Sequence, residues 1–161
     1  MDSKAEMYFK RARSEIDSAS VLFRASGEQN VKDVLGIGRE ETFYSGAISH
    51  AYYAIFYCAK AMLMTKSIET GSPDIHKKTF EKFKKVFIDT GILDAKLLMI
   101  YRELIIRAET LLKIYKIEKK KRGDFTYNTI PQVNKAPAEE SVNHAKMFFK
   151  HCDTYLSDWA R

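Results

Sequence analysis

Ser45 to Met64 reads SGAISHAYYAIFYCAKAMLM, a run rich in rings and small residues in which Lys60 is the one Lys, Arg, Asp or Glu. At 3.6 residues per turn, Ala47, Ala51, Ala54, Cys58 and Ala61 share one side, while Ile48, Tyr52, Ile55, Phe56, Ala59 and Leu63 cover the other. A helix that is apolar nearly all round belongs inside a protein. The small-residue side lets a neighbouring helix approach closely, and the aromatic side fills the gaps to more distant partners. Ser49, His50 and Lys60 interrupt the run, and its flanks show no anchoring pattern, so it reads as the centre of a bundle rather than a membrane span. The spacing predicts that this helix starts near Glu41 to Phe43 and runs to about Lys66.

Outward from that centre, the 161 residues suit a single domain, 1–161, large enough to bury its own core. The first residues, MDSKAEMYFK, begin with charges and hold no apolar signal region, so a cytoplasmic location is expected. Cys58 and Cys152 are the two cysteines, one of them in the central helix, and both read as reduced packing residues. The net charge of +6 permits a nucleic-acid or other polyanionic partner without demonstrating one.

From Lys4 to about Ser26, the positions Met7, Phe9, Ala12, Ile16, Ala19, Leu22 and Phe23 recur with helical spacing and predict an amphipathic first helix. Between Gly27 and Gly38 the apolar residues are sparse, which predicts a loop containing at most a short turn. Gly71, Ser72 and Pro73 break the chain again, and Asp74 is expected to cap a third helix buried through Phe80, Phe83, Val86 and Phe87 and closed by Gly91. A long fourth helix is predicted from Asp94 towards Lys121, and a last one opened by Pro137 and Ala138, with Glu139 and Glu140 in its first turn. No segment reads as a strand. The expected fold is all-α, an antiparallel up-and-down bundle of four long helices plus one shorter or variable one.

Common catalytic frameworks are absent. The chain has no phosphate-binding glycine loop, no zinc-ligand spacing, no serine elbow and no inward Glu-x-x-His pair. Glu140 and His144 are four apart, and His144 and His151 share a helical face seven apart, so surface histidines are the expectation and neither a metal nor another cofactor is assigned.

Two segments are more specific: SHAYYAIFY at 49–57, and KKKRGDFTY at 119–127, where the fourth helix ends. Joined to IHKKTFEKFKKVFIDTG at 75–91 and to Ala138, Glu140, Ser141, Ala145 and Phe148 of the last helix, they resemble the HEPN domain family of small prokaryotic proteins across roughly residues 4–160. The resemblance implies an all-α bundle that is usually a homodimer and is often paired with a small nucleotidyltransferase of the MNT type. Many members are toxins that cut RNA without a metal. Their hallmark is an Arg followed after four to six residues by a His, the two meeting across the dimer to polarise phosphate and assist attack by the 2′-hydroxyl.

Here that hallmark fails. Gly123, Asp124, Phe125, Thr126 and Tyr127 follow Arg122, and no other Arg has a His at the required distance. Tyr127 stands in the His position, and with an ordinary pKa near 10 a phenol is a poor proton shuttle at neutral pH. Arg122 and Tyr127 are nevertheless the catalytic candidates, and Arg107 is a second match for the family's arginine. By resemblance or by charge, Asp124, Arg107, Lys119, Lys120, His76 and His50 are candidate binding residues. Each has an ordinary structural alternative: Arg122 complements a helix C-terminus, Asp124 a turn, and the lysines a solvated helix face. The expectation is a HEPN-like module that binds RNA or a nucleotide, one half of a HEPN/MNT toxin–antitoxin-like pair, that lacks the usual ribonuclease pair. A metal-independent endoribonuclease using Arg122 and a purely structural assembly protein are the alternatives.

Overall fold

The computed structural model describes residues 2–121 and 135–160, with side chains given for all of these except 114–121. Arg122, Asp124 and Tyr127 therefore lie outside the described residues, as do the side chains of Lys119 and Lys120. The chain is an all-α bundle, with no strand among the described residues. Its helices are α1 (Ser3–Gly27), α2 (Gln29–Leu35), α3 (Tyr44–Met64), α4 (Ile75–Phe83), α5 (Ala95–Lys121) and α6 (Lys135–Trp159). Four of them are long, as the periodicity predicts. No described helix is long and apolar enough to cross a membrane.

Helix α3 is the centre. Ala47, Ala51, Ile55, Cys58 and Ala59 are wholly buried, and the most extensive pairing in the bundle is between α3 and α1. Ala5, Ala12 and Ala19 of α1 are likewise wholly buried, so small side chains meet small side chains and the two backbones come close. Gly46 marks the tightest point, since a Cβ there would lie 3.0 Å from Leu22 Cδ1. Helices α6, α5 and α4 complete the enclosure with rings. Phe83 lies 5.5 Å from Phe148, and Tyr101 meets Phe148 edge-on at 5.9 Å.

Three local features differ from the sequence expectation. The segment after Gly27 holds a seven-residue helix, α2, whose Val34 and Leu35 point into solvent. It ends at Gly36, which takes a left-handed φ of 68°, and the Lys32 ammonium bonds the Glu41 carbonyl to tie the following turn down. Asp74 does not cap α4 through its side chain. It occupies the left-handed region itself, at φ 58°, a conformation that a short polar side chain tolerates. Beyond Phe83 the helix widens into a π-helical turn, Lys84–Ile88, in which the Asp89 amide reaches back to the Lys84 carbonyl at 2.9 Å. Gly91 closes that turn at φ 76° as expected, and Asp94 caps α5 by accepting from the Lys96 amide at 2.8 Å.

One core group is uncompensated. Tyr101 is wholly buried, and no described residue hydrogen-bonds its hydroxyl. An unpaired buried hydroxyl carries its full desolvation cost, so Tyr101→Phe is expected to stabilise the fold by about 1 kcal/mol. Urea denaturation of the two proteins checks this through the shift in midpoint at unchanged slope.

Candidate functional site

Helices α3 and α4 meet at a ring cluster. The Tyr52 hydroxyl lies 2.8 Å from His76 Nδ1, and the Phe56 ring packs 4.3 Å from the imidazole. Burial first, then Tyr53 and Glu109, push the Tyr52 phenol pKa up, so it stays protonated beside Nδ1. The hydrogen bond between the two orients the His76 ring. Burial, followed by the charge of Lys60, holds the His76 pKa below its ordinary value. At neutral pH His76 is therefore a neutral, oriented imidazole.

The sign of its pH effect follows. The unfolded chain binds the proton at a higher pH than the folded chain does, so stability is complete above the ordinary histidine pKa of about 6.5 and falls as pH drops below it. His76→Asn is expected to flatten the fall in urea midpoint between neutral and mildly acidic pH. An unchanged slope would place that dependence on other groups.

His50 faces a different partner. Its Nδ1 lies 2.5 Å from Glu15 Oε2, and Glu15 also accepts from Arg11 Nε at 2.9 Å. Glu15 is buried, so the two bases compensate a carboxylate inside the α1–α3 contact. His50 thus links two helices. It is not brought to His76 or to Arg107 by any described contact.

Arg107 lies between α5 and α6. Its Nη2 donates to Glu103 Oε1 at 2.8 Å and lies 3.1 Å from Glu140 Oε2, while Nη1 donates to Ser141 Oγ at 2.9 Å. The remaining oxygens of the two carboxylates turn towards His144, whose Nδ1 is 3.2 Å from Glu103 Oε2 and 3.9 Å from Glu140 Oε1. Glu103, Glu140 and His144 each place a donor atom within 4.8 Å of the others, a set that suits a cation, and the Arg107 guanidinium supplies a positive charge beside it. Hydrogen bonding and charge from Arg107 hold the Glu140 carboxyl below the usual carboxylate range. The sequence reading considered Glu140 with His144 but missed Glu103; its one local signal is the four-residue step from Glu103 to Arg107 along α5.

The other histidine of α6, His151, sits elsewhere. With Lys96, Lys146, Lys150, Met147 and Thr154 it lines an open groove of about 500 Å³ that contains no carboxylate. Cys58 and Cys152 are both free and buried, and burial, then the adjacent Cys152 thiol, push the Cys58 thiol up, which keeps it unreactive.

The decisive comparison is with known sequences: the profile of the HEPN domain matches residues 37–155, from the turn before α3 through most of α6. The chain belongs to the HEPN domain family. Two relatives of this HEPN protein come from Methanocaldococcus jannaschii. One, named "Putative toxin MJ0142", is 30% identical over 114 residues, 71% of this chain and 66% of that protein. The other, named "Putative toxin MJ0605", is 28% identical over 109 residues, 68% of each. The chain thus aligns with about two thirds of the length of each relative. The HEPN match includes His50, His76, Arg107 and the 119–127 segment, whereas α1 lies before it.

Proposed function

We propose that this HEPN chain is a binding module, the HEPN half of a toxin–antitoxin-like pair with an MNT-type nucleotidyltransferase, which holds RNA or a nucleotide without cutting it by the family's Arg and His pair. The observation that carries this is the state of Arg107. Of the two candidates for the family's arginine, it is the one among the described residues, and its guanidinium is engaged by Glu103, Glu140 and Ser141. Arg122 is followed by no histidine within the family's spacing. His50 is committed to Glu15 and His76 to Tyr52, so neither is presented to an arginine by a described contact.

A dimer is part of the proposal, because the resemblance that motivates it is to proteins that act in pairs. The relatives named as toxins support the toxin-like context, and the excess of Lys and Arg supports a polyanionic ligand. Fluorescence anisotropy with a labelled single-stranded RNA tests the ligand. Binding that weakens steeply as salt rises is expected, since each phosphate contact releases counterions. No binding of RNA or nucleotides would remove the ligand half of the proposal. Size-exclusion chromatography of the chain co-expressed with its nucleotidyltransferase tests the other half, with co-elution expected.

A further inference from the structure

Packing α3 against α1 and α4 lines up four rings from three helices. His76 at the start of α4, Tyr53 and Tyr57 one turn apart on α3, and Tyr8 on α1 follow one another at centroid separations of 6.1, 6.4 and 6.2 Å. Tyr57 lies within 30° of parallel to Tyr53 and within 18° of parallel to Tyr8. Each step is close to the length of one nucleotide in an extended strand. The Arg11 guanidinium stands 5.6 Å from the Tyr57 centroid, while the Lys60 ammonium, 4.7 Å from that of Tyr8, is buried and donates to the Thr70 carbonyl at 3.0 Å.

The file reaches solvent. Tyr53 is 40% exposed on a helix whose other residues are mostly buried, His76 is exposed, and Tyr57 and Tyr8 are half-buried. Glu15, which anchors Arg11, is only 5% exposed and offers little negative charge to a ligand. Exposed rings with a cation beside them are a combination that holds single-stranded nucleic acid, where bases stack on aromatic faces and cations accompany the phosphates.

We propose that Tyr53, Tyr57 and Tyr8, with Arg11 beside them, form a base-stacking platform for single-stranded RNA. The proposal rests on the RNA-binding reading above and adds the place and the mode. Because stacking is indifferent to hydrogen-bonding edges, the platform accepts any base and rejects a backbone that carries none.

Two labelled probes of equal charge separate the platform from general electrostatics: an oligouridylate and the matching abasic ribose-phosphate oligomer. The full chain is expected to prefer the oligouridylate. Tyr53→Ala and Tyr57→Ala are each expected to lose roughly 5- to 150-fold in affinity for it, with little change for the abasic probe. Tyr53→Phe keeps the ring and is expected to bind as the parent chain does. Tyr53 is exposed, so Tyr53→Ala carries the test alone should thermal melting show that Tyr57→Ala is misfolded. Equal affinity of the parent chain for both probes, or unchanged oligouridylate binding by folded Tyr53→Ala, overturns the platform while leaving RNA binding elsewhere on the protein intact. Binding of neither probe overturns the platform and the RNA reading together. Loss of self-association in Tyr53→Ala, seen by light scattering with RNA affinity unchanged, assigns the rings to a protein contact and overturns it as well.

Discussion

Phe148→Ala is expected to destabilise the fold by about 3–5 kcal/mol, the cost of deleting a large ring from a site that cannot collapse. Phe148 is wholly buried, with Phe83 5.5 Å away on one side and Tyr101 5.9 Å away on another. Phe148 and these two neighbours come from three different helices, α6, α4 and α5, so no single side-chain rotation fills the space. Thermal denaturation should show Tm falling on the order of 10 °C. Met147 beside it in sequence is 43% exposed, and Met147→Ala should remain within about 0.5 kcal/mol of the parent. A comparable loss at both positions would mean that α6 does not present Phe148 to the core.

The second large effect has the opposite cause. Ala51 is wholly buried in the core around α3, and Ala51→Leu inserts three carbons among packed side chains. Overpacking of this kind costs about 1–3 kcal/mol. Chemical denaturation of Ala51→Leu against Ala51→Gly separates the two contributions. Leu should lose more through strain, whereas Gly loses about 1 kcal/mol through helix propensity. Equal losses would indicate that the core beside Ala51 has room for a larger side chain.

How much of this was legible follows from what each feature depends on. Helix α3 could be read because its apolar residues occupy all sides, a property of one segment alone. The four long helices followed from periodicity in the same way. Helix α2 escaped because Val34 and Leu35 are solvent-facing, so no buried stripe marks it. The π-helical turn at Lys84–Ile88 escaped because Phe83 and Phe87 keep the four-residue step of an ordinary helix.

At the candidate site the division is sharper. The neutral state of His76 depends on its burial and on the charge of Lys60 in α3, and the clamp on Arg107 depends on Glu140 and Ser141 more than thirty residues away. Tyr8 falls between Met7 and Phe9 of the apolar stripe that predicts α1, and nothing local marks it as a partner of Tyr57. The file of rings appears only when α1 lies beside α3. Local pattern reveals which side chains are buried, whereas the partners of a polar or aromatic side chain are a product of topology.

The central claim is binding without the family's ribonuclease pair, and one measurement reaches it most directly. Purified chain and Arg122→Ala are incubated side by side with total cellular RNA in EDTA, and each sample is divided between a native and a denaturing gel. The account predicts RNA shifted on the native gel and intact on the denaturing gel for both proteins. Cleavage by the parent chain that Arg122→Ala abolishes would contradict it and make Arg122 catalytic despite the absent histidine.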